Sequence, residues 1–197
     1  MQFERRTGSC PWYRNTRRTV LGLCSIDAGD EMKGTGGDVL YLDFDGVLHH
    51  ENCFWHPRRG AYLDAPPGYM LFQHAELLST LLAPYPQVEI VLSTSWVRRY
   101  GCSDTAKRLP LPLRARVIGA TFHSRMNERV FVDLSRGQQV LGDVMRRQPK
   151  RWLALDDDPD GWPLECLPNF LQTDEREGIS APQIHAQLIN KLKRFGE

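Results

Sequence analysis

The chain has 197 residues, with 25 Lys and Arg against 24 Asp and Glu for a formal net charge of +1, and 41% hydrophobic residues. That balance excludes a wholly disordered chain, and no apolar run approaches the roughly 20 residues that a bilayer span requires, so one globular domain with an extension is predicted. Five cysteines (Cys10, Cys24, Cys53, Cys102 and Cys166) are odd in number and form no CxxC pair, which fits neither a disulfide framework nor a zinc ribbon and points to the reducing cytoplasm.

Residues 1–37 have no sustained period of either kind, are rich in Arg, Gly, Ser and Thr, and end in KGTGGD; a poorly ordered arm is predicted there. Its apolar stretch from Val20 to Cys24 is too short for a secretory leader. Met32 precedes the first strong strand and is an expected alternative start of translation, which an intact mass of the native protein including residues 1–31 would exclude. From Asp38 the character changes, and residues 38–197 are read as one domain. DVLYLDFDG is a buried strand stopped by carboxylates and glycine. A loop-rich stretch, HHENCFWHPRRGAYLDAPPGYM, leads to a helix whose Leu77, Leu78, Leu81 and Leu82 share a face and which stops at Pro84. VEIVLSTSW is a second strand, and Val117–Ile118 mark a short third. GQQVLGDVMRRQP is a helix with Val140, Leu141 and Val144 on one side. RWLALDDD is a strand ending in acids, NFLQTD a weaker one, and APQIHAQLINKLKRF a last amphipathic helix. The alternation predicts an α/β fold with a mostly parallel sheet and helices on both faces, whose ligands bind beyond the carboxyl ends of the strands.

Polar residues gather where three of these strands stop: Asp43, Asp45 and Gly46 after the first, Ser93, Thr94 and Ser95 after the second, and Asp156 to Asp158 after the fourth. Asp43 and Asp45 stand two apart, and Gly46 permits the turn that lets a substrate approach closely. Converging carboxylates repel one another unless a cation neutralises them, and hard oxygen ligands with room for water suit Mg²⁺. Any one such acid is ordinarily a cap or loop residue; the three clusters together call for another explanation. His49, His50, Cys53 and His56 with Glu51 contain zinc-ligating types, but their spacing matches no common zinc pattern. Charge is also segregated, since Arg98 to Arg151 holds 13 basic and 4 acidic residues and Leu153 to Gly178 holds 1 basic and 8 acidic. This reads either as solvated surface or as an acidic, metal-binding mouth beside a basic surface that attracts a polyanion.

VLYLDFDGVL resembles the first motif of the haloacid dehalogenase (HAD) superfamily, IVLSTSW the second and WLALDDD the fourth. The resemblance implies a Rossmann-like fold in which Asp43 is the nucleophile that takes up phosphate as an aspartyl-phosphate. Asp45 would be the general acid and base. Thr94 would hold a phosphoryl oxygen, with Ser93 in that place if the strand ends one residue earlier, and Ser95 beside them. Mg²⁺ would sit on Asp43, the Asp45 carbonyl and an acid of the fourth motif, Asp157 as direct ligand with Asp156 its neighbour. The third motif supplies a lysine or arginine; Arg136 occupies that place, with Arg125 or Arg129 as the fallback.

DFDGVLHHE, IVLSTSW, VIGAT, SRGQQVL, ALDDD and TDEREGIS, in this order, resemble the HAD domain of Swiss Army Knife RNA-repair proteins from Asp38 to the C-terminus. There the module is proposed to trim phosphates from broken RNA ends. It is typically fused to other repair domains, and this chain has no room for a ligase or kinase partner. About 45 residues separate Gly46 from Ser93, so no large cap domain fits and the open site admits bulky substrates such as an RNA or DNA end. Phe54, Trp55, His56, Arg58, Arg59 and Tyr62 are candidates for a flap that stacks on a base or binds a backbone phosphate, or for rings that pack the loop onto the domain. The expected protein is an Mg²⁺-dependent phosphatase of phosphorylated nucleic-acid ends. The alternatives are a phosphatase of nucleotides or other small esters and a non-catalytic HAD-like binding module. Nothing points to a membrane or an obligate protein partner.

Overall fold

The computed structural model describes residues 33–197; the arm up to residue 32 and the alternative start at Met32 lie outside the described residues. The central strand β1 (Asp38–Leu42) is buried at every position, as its unbroken apolar run demands of a strand covered on both faces. It pairs in parallel with β4 (Val88–Leu92) on one side and β6 (Arg151–Asp156) on the other. With β5 (Val117–Ala120) and β7 (Phe170–Gln172) outermost, the sheet runs β5-β4-β1-β6-β7, every pairing parallel. A separate antiparallel ribbon, β2 (Cys53–His56) with β3 (Gly60–Leu63), arises inside the stretch read from the sequence as loop. Its rings are mostly exposed, so no alternation against a core marked it as strand.

Side chains of β1 alternate between two cores. Leu40 and Leu42 face a large one that also takes in Leu78 and Leu82 of α1 (Ala75–Leu82), Val97 and Ala106 of α2 (Trp96–Ala106), Leu113 of α3 (Leu111–Arg114), and Leu188 and Leu192 of α6 (Pro182–Leu192). Val39 and Tyr41 face a smaller one with Val140 of α5 (Arg136–Arg147), Trp162 and Phe170. The helix predicted at GQQVLGDV and the two-faced α/β layering are therefore as expected. Helix α2, kinked at Gly101, and the short α4 (Glu128–Val132) have no apolar stripe long enough to show in sequence. Residues 33–37 form a turn fastened to the end of α5, where Gly36 N–H donates to Gln148 O at 3.1 Å and Lys33 O accepts from Arg147. No helix among the described residues is long and apolar enough to cross a membrane.

Register is the feature that positions the site. Leu42 of β1 is level with Leu92 of β4 and with Leu155 of β6, so three strands end on one line. The next backbone bonds, Ser93 N–H to Leu42 O at 2.9 Å and Asp43 N–H to Leu155 O at 3.1 Å, carry that alignment one residue further. Asp43, Ser93 and Asp156 consequently emerge side by side at the point where the chain, having built outward from β1 on one side, crosses to the other, the place where such sheets bind ligands.

Candidate active site

Asp43 and Asp156 are both buried at this edge, and Arg136, first residue of α5, is the cation between them. Arg136 Nη2 donates to Asp43 Oδ2 at 3.2 Å, and Nη1 donates to Ser93 O at 2.5 Å. Its Nε lies 3.1 Å from Asp156 Oδ2, but the N–H is not directed at that oxygen, which has no hydrogen-bond donor. Two local features bring the guanidinium here. Gln138 Oε1 accepts from Ser135 N–H at 3.0 Å and caps the start of α5. Gly137 lies so close to the backbone of Gly161 that any Cβ would collide with it, and its N–H donates to Asp160 O at 3.0 Å. A larger residue after Arg136 would lift the helix off the site.

Asp157 reaches the cluster through Gly46. That glycine has φ +65°, and a Cβ on it would run into the Asp157 carboxylate, so the pair fits only without one. Oxygens of Asp43, Asp156 and Asp157 all lie within 4.8 Å of one another, close enough to share one ion. The set fits a hard divalent cation: carboxylate oxygens only, one of them buried and without a donor, and more negative charge than Arg136 cancels.

The electrostatics carry the same message. Burial, reinforced in Asp156 by the charge of Asp43, drives the Asp43 and Asp156 carboxyls above their ordinary range despite Arg136. Burial and then Asp43 push Asp157 up to about 7. Arg136 itself loses solvent, but the surrounding acids more than offset that and hold it charged. A carboxyl with a raised folded pKa holds its proton more tightly folded than unfolded. It therefore favours folding below its unfolded value near 4, and that support is lost as pH rises through the folded value, here about 7 for Asp157. In EDTA, Tm is accordingly lower at pH 8 than at pH 5.5 by about 2–4 °C or more, since each kcal/mol moves a domain of this size by roughly that much. A divalent cation held by these carboxylates is expected to raise Tm more at pH 8 than at pH 5.5; a thermal melt that shows no pH dependence in EDTA contradicts this account.

Asp45 is held differently. Its side chain turns toward Trp96, whose indole N–H lies 3.0 Å from Oδ1 and 3.2 Å from Oδ2, and toward His49, whose Nε2 is 3.0 Å from Oδ1. His49 is fully buried, and its Nδ1 accepts the backbone N–H of Phe72 at 3.3 Å, so the ring proton is on Nε2 and is donated to Asp45. Phe72 adopts φ +60°, a strained conformation for an aromatic residue, and its ring meets Phe44, His49 and Trp96 edge-on. Asp45, His49 and Cys53 also place possible ligand atoms within 4.8 Å of one another. Metal binding there is opposed by the second bond of His49. To ligate through Nε2 the ring would have to carry its proton on Nδ1, facing the N–H of Phe72. The Cys53 thiol, pushed up to about 12 by burial and by Asp45, is a third donor to that carboxylate rather than a thiolate.

Trp96→Phe removes the indole N–H while keeping one aromatic ring against Phe44, Phe72 and Tyr100, at the cost of the space that the second indole ring filled. A hydrogen bond to a charged group contributes about 1.5–3 kcal/mol, so kcat is expected to fall by about tenfold or more with an altered pH profile. An unchanged kcat and pH profile would show that Asp45 needs no such support.

These positions bear directly on family membership. The family described as the HAD domain in Swiss Army Knife RNA repair proteins matches residues 39–184, nearly the whole described domain. The chain belongs to that family. No curated protein and no solved structure gives a significant match. HAD membership places the chain in a superfamily of phosphatases and related hydrolases, and the five-stranded parallel sheet flanked by helices is its Rossmann-like fold.

Within this HAD domain the residues singled out from sequence fall into two groups. Asp43, Asp45, Gly46, Ser93, Thr94, Ser95, Arg136, Asp156 and Asp157 gather at one edge, where the Thr94 hydroxyl bonds Asp43. Arg58 sits in the turn of the ribbon, and Arg59 lies over the Tyr62 ring at 4.7 Å; neither borders the depressions beside the carboxylates. Arg125 precedes α4 and Arg129 is its second residue; the ion pair to Asp43 is made by Arg136. Much of the basic run is structural: Arg116 donates to three carbonyls, Arg146 and Arg147 pair with buried Asp143, and Arg151 pairs with Asp38. Arg98 and Arg99 of α2 border the site instead. Sequence reasoning missed them, and it missed the roles of Trp96 and His49. The available signals were Trp96 directly after the STS run and His49 four residues beyond Asp45.

Proposed function

We propose that this domain is a cytoplasmic, Mg²⁺-dependent phosphohydrolase that removes phosphate from RNA ends through an aspartyl-phosphate on Asp43. The observation that carries the proposal is the convergence of Asp43, Asp45, Thr94, Arg136, Asp156 and Asp157 at one sheet edge, with Asp43 tied to Arg136 and Asp45 held apart from the other acids by Trp96 and His49. Two carboxylates in such different surroundings suit two roles. An Asp43 oxygen attacks phosphorus, the bond to the ester oxygen breaks, and the departing oxygen takes the proton of the Asp45 carboxyl. Water then attacks the phosphorus of the acyl phosphate and gives its proton to Asp45, releasing inorganic phosphate and restoring Asp43. Asp45 Oδ1 takes the His49 bond and the shorter indole contact, so Oδ2 is the oxygen available to carry that proton. Arg136 steadies Asp43 and, with the Thr94 hydroxyl, faces the entering phosphoryl group. A magnesium ion on Asp43, Asp156 and Asp157, when bound, offsets the repulsion between the nucleophile and a phosphate dianion.

The RNA end as substrate rests on the family description and on a site that is bordered by Arg98 and Arg99 and, among the described residues, has no cap domain over it. The test is phosphate release, with Mg²⁺ or EDTA, from 3′- and 5′-phosphorylated RNA and DNA, mononucleotides and sugar phosphates. Magnesium-dependent release from an RNA end, with affinity that falls steeply as salt is added, is the expected result. Preference for a small ester without salt dependence would move the substrate to metabolism, and no turnover of any substrate would favour a binding module.

A further inference from the structure

The carboxylate edge opens on two depressions that meet at Ser95. One, of about 220 Å³, lies on the Arg136 side and is largely polar, with Arg98, Ser135, Gln139 and Asp158 in its wall. The other, of about 100 Å³, has Asp45 in its wall and is enclosed by the ribbon on one side and α2 on the other. Its remaining wall is mostly rings: Phe54 and Trp55 of β2, Trp96 and Tyr100 of α2, and the Arg99 guanidinium. Arg99 lies over the Trp55 ring at 3.9 Å and so joins the ribbon to α2 across the cleft. Trp55 remains 41% exposed and Phe54 49% exposed, although both stand beside a polar site.

We propose that this cleft binds the planar base of the leaving nucleoside, with Trp55 and Arg99 as its stacking platform. The proposal rests on the phosphatase reading above and deepens it. In that reaction nucleophile and leaving group stand on opposite sides of phosphorus, and the leaving oxygen must meet the Asp45 proton. The alcohol being released therefore extends to the Asp45 side, which is the ring-lined cleft and not the larger polar one. A sugar or polyol there would have Asp45, Ser95, Arg99, the thiol of Cys53 and the Tyr100 hydroxyl as side-chain partners, but no use for the faces of Phe54, Trp55, Trp96 and Tyr100. A base finds aromatic faces and a guanidinium plane, the surfaces on which unstacked bases rest, and such surfaces tolerate any base. The subsite thus selects a terminal nucleoside without reading its sequence.

The test compares kcat/KM for adenosine 5′- and 3′-monophosphates with kcat/KM for glycerol phosphate in the wild type, Trp55→Ala and Trp55→Phe. The wild type favours the nucleotides, Trp55→Ala lowers that preference roughly 5- to 150-fold, the range for losing one base–aromatic stack, and Trp55→Phe recovers most of it. Because Trp55 is exposed on the ribbon, circular dichroism of both variants matches the wild type. A preference unchanged in Trp55→Ala, or a wild type that does not discriminate, overturns the subsite while leaving the phosphatase chemistry standing. If the wild type hydrolyses none of these esters, the phosphatase reading is decided by the phosphorylated RNA ends alone. The subsite is then judged by adenosine monophosphate binding, measured calorimetrically with Mg²⁺: a Kd weakened by Trp55→Ala supports it, and equal affinities reject it.

Discussion

Asp43→Asn is expected to abolish phosphate release, by roughly 10⁴-fold or more, and to leave Tm in EDTA equal to or above that of the wild type. The first half follows from the chemistry, because an amide cannot form the acyl phosphate and the loss of a nucleophile is not made good by its neighbours. The second half follows from burial. Asp43 carries its charge without water beside Asp156 and Asp157, and Arg136 balances only part of the total. An Asn of the same shape can still accept the Phe44 N–H through Oδ1, while its NH2 replaces the oxygen that Arg136 bonds; Arg136 keeps Ser93 O and its pairing with Asp156, so the variant sheds a buried negative charge at the cost of one hydrogen bond and without orphaning the cation. Phosphate assays and paired thermal melts measure the two halves. Residual turnover within tenfold of the wild type would assign the nucleophile elsewhere, and a large drop in Tm would mean that the Asp43 charge is needed for folding.

Arg136→Ala has the opposite signature, losing activity and stability together. Without the guanidinium, Asp43 and Asp156 remain buried with no cation, and Ser93 O loses its 2.5 Å donor. Removing one partner from a buried ionic set costs about 3–5 kcal/mol, or about 6–20 °C for a domain of this size. The loss is greater at pH 8 than at pH 5.5, where the raised carboxyls take up protons and need the cation less. Millimolar Mg²⁺ restores more Tm to Arg136→Ala than to the wild type. Arg136→Lys keeps the charge but lacks the planar fork that reaches Ser93, Asp43 and Asp156 at once, so it falls between the two. A wild-type Tm for Arg136→Ala in EDTA would show that the cluster is stable without its cation, and that the arginine serves only the substrate.

These contrasts rest on a division of labour that the sequence displays only in part. Unbroken apolar runs such as VLYL and the fourth-strand WLAL are legible because a strand buried on both faces leaves no room for polar residues, and the acids that end them are legible because they stop those runs. The motif order therefore gave the sheet, the helices α1, α5 and α6, and the edge at which chemistry gathers. Arg136 was readable as a cation at a helix start. Its contacts were not, since they depend on how closely Gly137 lets α5 approach the loop after β6.

The different surroundings of the two acids belong to tertiary structure. By pattern and spacing alone, Asp43 and Asp45 are equivalent carboxylates two residues apart, and only the family resemblance gave them different expected roles. The fold buries the first against Arg136 and turns the second toward an indole 51 residues away and a histidine whose tautomer is set by Phe72. The ribbon of Phe54 and Trp55 likewise carries no periodic signal, because its rings meet α2 and solvent rather than a core. Local pattern determined which residues are buried strand and which are punctuation, for those are properties of a few neighbouring side chains. Register, helix approach and the pairing of charge with charge join residues far apart in the chain, and only the packed structure decided them.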